Sequence, residues 1–313
     1  MPYYPPRPDK PSQDHPPRIK PTLRRMLLCA SLLLIAYGTV RLFFYVSDWV
    51  SAQRTTQELR EIARETDTTE KTVSISRTEP PALEVTSTLL PSTPQPEETP
   101  ALSVELPVIE YPNGYNLVPR IQKLRKRSEY IIGWITMNNL DEPVAKKNNT
   151  FFLNHDATGK RNSNGAIFMD EGTSLLTRPY TILLYGHNMK NGTMFGSLRK
   201  YENFSYYYLH RVFQFDTLYE EGQYVIFAVE TISLTPGKVK YVNLTCLESL
   251  NRETRRSALQ ALMNQSLHGA MLDVNEEDQI LLLMTCVGND DERLILAARR
   301  LREEETVDRL IMK

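Results

Sequence analysis

The chain has 313 residues, 41% of them hydrophobic, with 37 basic against 38 acidic side chains and a formal net charge of −1. That length fits one or two domains, and the charge balance excludes a nucleic-acid partner recruited by bulk charge. Three cysteines (Cys29, Cys246 and Cys286) are too few for a disulfide scaffold, and no Cys/His spacing of zinc type occurs, so neither a metal nor another cofactor is expected.

Residues 1–25 form a Pro-rich tail with Arg7, Lys10, Arg18, Lys20, Arg24 and Arg25 against Asp9 and Asp14. Met26 to Val40 carries no charge, Arg41 interrupts, and Leu42 to Val46 is apolar again. As one helix, residues 26–46 would span about 32 Å at ~1.5 Å per residue, enough for a bilayer core of ~30 Å. Arg41 lies near the far end of the run, where its long side chain can snorkel. The basic flank precedes the apolar run. This predicts a single-pass signal anchor in the cell membrane, with a cytoplasmic N-terminus and an extracellular remainder. A cleaved signal peptide, with Val50-Ser51-Ala52 as the cleavage site, is the alternative.

Residues 47–110 read as an extracytoplasmic spacer. Ser47 to Glu65 mixes Glu58, Glu61 and Glu65 with Arg54, Arg60 and Arg64 at helical spacing, which predicts a solvated helix. From Asp67 to about Pro107 the composition turns to Thr, Ser, Glu and Pro, which cannot bury a core and reads as an extended linker.

A folded domain is expected over residues 111–313. Leu117 to Arg127 predicts a short basic helix with Pro119 in its first turn and its charges on a solvated face. Strand-like runs follow at Tyr130–Met137, Pro143–Ala145, Ala166–Met169, Tyr180–Tyr185, Val212–Leu218, Gln223–Thr231, Lys240–Leu244, Ile280–Thr285 and Leu294–Ala298. Short helices are expected at Gly196–Tyr201 and Asn251–Leu267, the latter with Leu259, Leu262, Met263 and Leu267 as a stripe packing onto the sheet. The fold class is therefore mainly β with peripheral helices, a closed or nearly closed barrel of short strands. Tyr206, Tyr207 and Tyr208 suit a peptide groove, but ordinary packing is the simpler expectation.

Two stretches carry chemistry. Leu281-Leu282-Leu283-Met284-Thr285-Cys286 is an apolar strand, Gly288-Asn289-Asp290 is turn chemistry, and Arg293 opens the apolar run Leu294 to Ala298. If the runs pair, Cys286 and Arg293 share one end of the sheet, and a fixed cation favours the thiolate form of a cysteine. On these residues alone a structural Cys and a surface Arg fit equally well. In Tyr180-Thr181-Ile182-Leu183-Leu184-Tyr185-Gly186-His187, an apolar strand breaks at Gly186 and presents His187, the one histidine of five in such a position. A nucleophilic Cys needs a group that can take and return a proton near neutral pH. A lone His is nonetheless more often structural.

Tyr185-Gly186-His187-Asn188-Met189-Lys190-Asn191-Gly192-Thr193-Met194-Phe195-Gly196-Ser197-Leu198 resembles the His-bearing signature of class B sortases. Thr285-Cys286 followed by Arg293 resembles the sortase Thr-Cys…Arg signature, with six intervening residues, a shorter loop than in many sortases. Gly133-Trp134-Ile135 and Gly165-Ala166-Ile167-Phe168-Met169-Asp170 are also similar to class B landmarks, in the family's order. The resemblance spans roughly Gly133 to Arg299. It implies a sortase-like closed β-barrel of about eight strands, with a helix before the Cys strand.

It also implies catalytic roles for His187, Cys286 and Arg293, and substrate contacts by Asn188 and Thr285. The implied partners are sorting-signal peptides of secreted surface proteins, of the Asn-Pro-x-Thr type or a Leu-Pro variant. The acceptor would be an amine of peptidoglycan or a pilin, in a Gram-positive bacterium. No apolar run follows Arg302, so the second anchor of pilus-type class C sortases is not expected. Two other readings stay open: a secreted cysteine endopeptidase with water as acceptor, and a catalytically silent membrane-tethered binding module.

Overall fold

The computed structural model describes residues 21–74, 111, 114–269, 271–287 and 289–307, which fall into two units, one up to Ser47 and one from Asp48. The basic tail before Pro21 and the expected linker beyond Ser74 lie outside the described residues, while the first expected linker residues, 67–74, are helical rather than extended.

The first unit is the N-terminal part of helix α1 (Pro21–Ser74). Its large apolar side chains, among them Leu32, Leu33, Ile35 and Phe43, are exposed. This stretch is long and apolar enough to cross a membrane.

The second unit is built on eight strands: β1 (Ile131–Met137), β2 (Leu140–Ala145), β3 (Ile167–Met169), β4 (Thr181–Tyr185), β5 (Val212–Thr217), β6 (Gln223–Ser233), β7 (Ile280–Val287) and β8 (Asn289–Arg300). They close into a barrel in the order β1-β2-β3-β4-β7-β8-β6-β5, with β5 pairing back onto β1. Most neighbours are antiparallel, but β2 with β3 and β4 with β7 run parallel. Alternation along each strand sorts side chains to two faces. Ile182, Leu184, Leu281, Leu283, Leu294 and Leu296 fill the interior, while Leu282, Met284, Ile295 and Ala297 form an outer layer with Leu259 and Leu262 of helix α4 (Arg252–Gln265).

The expected eight-stranded, mainly β barrel is therefore present. Five local expectations differ. The stretch after Asp48 is not solvated on all sides: Ala52, Leu59 and Ala63 are buried, and Leu59 and Ala63 pack with Ile121 and Leu124 of helix α2 (Pro119–Arg125). The charges of α2 likewise have partners, Lys123 with Glu65 (2.9 Å) and Arg120 with the buried Asp216 (3.4 Å). The expected strand at Lys240–Leu244 is a loop with a single bridge, Ser233 to Tyr241, running into a 3-10 turn at Leu244–Glu248. Residues 289–292, which read as loop, continue β8, and Leu267 of the helical stripe is exposed beyond the end of α4. The tyrosines at 206–208 lie on helix α3 (Phe204–His210), where Tyr207 is fully buried and joins the core.

Candidate active site

The site follows from strand register. Tyr185, the last residue of β4, pairs in parallel with Met284 of β7, and the Gly186 N–H extends the ladder by donating to Met284 O at 3.2 Å. His187 follows two residues after Tyr185, and Cys286 two residues after Met284, so both come just beyond the last rung that β4 and β7 share. Cys286 is in turn the antiparallel partner of Arg293, and Arg293 is the partner of Ile232 on β6. The rung across β7, β8 and β6 at this end of the barrel reads Cys286, Arg293, Ile232, with His187 in the turn just past β4.

The turn after β4 is held closely. A Cβ on Gly186 would meet the Phe195 ring at 2.7 Å, so only glycine lets the chain leave the strand here. The His187 carbonyl accepts from the N–H groups of Met189 (3.1 Å) and Phe195 (3.0 Å). The imidazole Nε2 lies 2.8 Å from the carbonyl of Leu153. A carbonyl can only accept, so Nε2 carries a hydrogen and Nδ1 is the nitrogen left to take up or return a proton. Gly165, at φ +64°, packs beneath the ring: a Cβ there would lie 2.8 Å from His187 Cδ2 and would overlap the backbone oxygen of Phe152.

A groove of about 270 Å³ opens at this end of the barrel, lined by Asn149, Leu153, Phe168, Tyr185, Gly186, His187, Leu234, Met284, Thr285 and Arg293. Of the two expected substrate contacts, Thr285 is 2% exposed, pairs with Leu294 and lines the groove, whereas Asn188 bridges to Met194 in the turn after β4. The Arg293 guanidinium donates to Glu292 O at 3.0 Å. Its charge is felt by the Tyr185 hydroxyl.

Several groove residues escape motif reading because they come from loops with no chemical signature. Asn149 and Leu153 lie between β2 and β3, and Leu234 follows β6. Tyr185 donates to Asp170 Oδ2 at 3.0 Å, and Asn149 Nδ2 donates to the same oxygen at 2.8 Å. Burial first, and the Asp170 charge second, hold the Tyr185 hydroxyl far above its ordinary pKa, so it stays protonated. Among the described residues no cluster of His, Cys, Asp or Glu could hold a metal ion.

An eight-stranded closed barrel of this kind is the architecture of the sortases. The model of the sortase domain matches residues 135–301, and the chain belongs to that family. Its relatives place it in class B. It is 28% identical to sortase B of Listeria monocytogenes over 53% of this chain and 66% of that protein, just short of two thirds of its length. It is 29% identical to sortase B of Staphylococcus aureus over 58% of this chain and 74% of that one. Among solved structures, sortase B of Bacillus anthracis superposes with a TM-score of 0.51 at 28% identity, covering 60% of this chain and 86% of the other.

Proposed function

We propose that the chain is a membrane-anchored cysteine transpeptidase that cuts a sorting-signal peptide and passes its acyl part to an amine. What supports this reading is that His187 and Arg293 line one groove and that Arg293 is the cross-strand partner of Cys286.

In the first half-reaction the Cys286 sulfur attacks a peptide carbonyl carbon. The carbon–nitrogen bond breaks as His187 gives a proton to the departing amine, leaving a thioester. In the second, an incoming amine attacks the thioester carbonyl. His187 takes the proton of that amine, and the sulfur leaves as thiolate. Arg293 donates charge-assisted hydrogen bonds to the carbonyl oxygen as it becomes anionic, the kind of contact worth ~3–4 kcal/mol of barrier. The groove wall of Phe168, Leu234 and Met284 suits apolar and extended peptide. Residues 26–46 serve as the anchor, with the N-terminus in the cytoplasm and the catalytic unit outside. The acceptor is an amine of peptidoglycan or of a pilin.

The test is mass spectrometry on the full chain in detergent. A panel of sorting-signal peptides is offered with and without a glycine or diaminopimelate-type amine, alongside Cys286→Ala. A Cys286-dependent adduct resolved into a peptide–amine product supports transfer. Hydrolysis alone at high amine concentration supports the peptidase reading. An absence of adducts, together with ordinary reactivity of Cys286 toward an electrophile, supports a silent binding module.

A further inference from the structure

Asp170 follows the last residue of β3 and is half-buried beside the groove without lining it. Each of its oxygens is committed. Oδ1 accepts the Gly172 N–H at 2.8 Å, closing the turn after the strand. Oδ2 accepts twice, from the Tyr185 hydroxyl at 3.0 Å and from Asn149 Nδ2 at 2.8 Å. Its backbone carbonyl is held by Lys146 Nζ at 2.6 Å. The Asn149 amide is fixed from its other end as well, because Oδ1 accepts the Glu171 N–H at 2.9 Å.

These bonds decide what the groove wall offers. A tyrosine hydroxyl has one hydrogen, and Asp170 takes it, so Tyr185 Oη can only accept from anything in the groove. An amide nitrogen has two hydrogens, and Asp170 takes one, so Asn149 Nδ2 has one left to donate. The two groups bond to a single oxygen and are therefore close neighbours. One acceptor beside one donor is what a residue of an extended peptide needs, since its own N–H and C=O point to the same side of the chain.

We propose that Asp170 is a positioning residue of the peptide groove. By accepting from Tyr185 and Asn149 through one oxygen, it sets an acceptor and a donor side by side to take the N–H and C=O of one residue of an extended substrate. This deepens the transfer reading and rests on it. Asp170→Asn is the informative variant. Gly172 N–H keeps the amide oxygen at the Oδ1 position, so an NH2 group stands at the Oδ2 position and cannot accept. Tyr185 then loses its acceptor and can turn its hydrogen into the groove, which reverses the polarity of the wall.

The experiment uses the full chain in detergent with a peptide the wild type turns over, and a set of analogues in which each backbone N–H upstream of the scissile bond is replaced in turn by an ester oxygen. One lost hydrogen bond is worth about tenfold. In the wild type a single ester position raises KM by about that factor. Asp170→Asn raises KM for the all-amide peptide by a similar factor, leaves kcat within about twofold, and is insensitive to the ester at that one position. The alkylation rate of Cys286 and the melting temperature stay at wild-type values. A KM unchanged in Asp170→Asn, or an ester penalty that persists in it, overturns the assignment while leaving the transfer reading standing. So does a variant that loses kcat, Cys286 alkylation and melting temperature together, since that pattern is a structural role. A wild type that yields no Cys286-dependent product from any peptide overturns the transfer reading, and this assignment falls with it.

Discussion

Cys286 and Arg293 are direct cross-strand partners on β7 and β8, separated along the chain by only six residues. The arginine thus stands next to the sulfur-bearing residue by sheet register, with no dependence on a long loop. Directly opposed residues in an antiparallel pair have Cβ atoms about 4.5–5.5 Å apart. Replacing Arg293 by Ala should lower kcat/KM for peptide transfer by about 10²–10³, the usual effect of losing one donor to a developing oxyanion. Arg293→Lys should recover only part of that loss, because a single ammonium cannot reproduce the planar fork. Steady-state kinetics on the three proteins checks this. A fully active Lys variant would show that bare charge suffices.

Gly165 supports the histidine from below. It sits at φ +64°, and a Cβ would press on the His187 ring and overlap Phe152 O. Gly165→Ala should therefore cost stability of order 1–3 kcal/mol from backbone strain alone. It should also displace the imidazole from the Leu153 carbonyl, now 2.8 Å from Nε2. The expected outcome is a drop in kcat of at least tenfold with Cys286 still alkylated, read by kinetics and electrophile labelling in parallel. A variant with wild-type kcat would show that the ring does not depend on this floor.

The barrel was legible because its strands are apolar runs of strand length bounded by Gly, Asn and Pro, and because the residues around His187 and Cys286 carry family signatures. The second part of α1 was not, although a signal was there. Ala52, Thr56, Leu59 and Ala63 recur at intervals of four, three and four, a narrow stripe on one helix face, and all four are buried. The surrounding Glu and Arg residues mask that stripe in any reading weighted by charge. The segment 240–244 misled in the opposite way: Tyr241 and Val242 have strand character, but Tyr241 makes only the single bridge to Ser233 and no ladder forms. The groove loops were illegible for a third reason. Asn149 and Asp170 matter through hydrogen bonds between segments, which spacing along the chain does not encode.

The buried stripe makes a prediction about where the folded unit begins. Leu59 is 1% exposed and packs with Ile121 and Leu124. Thr56 and Arg60 bond to the buried carboxylate of Glu142, at 3.2 and 3.1 Å. A chain starting at Asp48 should therefore be more stable to urea than one starting at Tyr111, which would expose that apolar face. Leu59→Ala in the longer chain should cost about 2–5 kcal/mol. Equal stability of the two chains would show that the helix adds nothing to the fold.

Glu230 gives the pH dependence a sign. It lies on β6 opposite Ile295, is 5% exposed, and neither carboxylate oxygen has a hydrogen-bond partner among the described residues. Burial raises its pKa from 4.5 to about 7, only partly offset by the charge of Lys240. Between those two values the folded chain binds more protons at this site than the unfolded chain does. Its contribution to stability is therefore complete below about pH 4.5 and is lost as pH rises through about 7. Glu142 is also raised to about 7 by burial and adds a slope of the same sign. Glu230→Gln should flatten part of that slope and melt higher than the wild type at pH 8, where the native carboxylate is charged and unpaired. Melting temperatures from pH 4.5 to 8 for both proteins check the sign. A variant whose melting temperature runs parallel to the wild type across that range would mean that Glu230 ionises freely in the folded state, with water or Lys240 reaching it through the outer layer of the sheet.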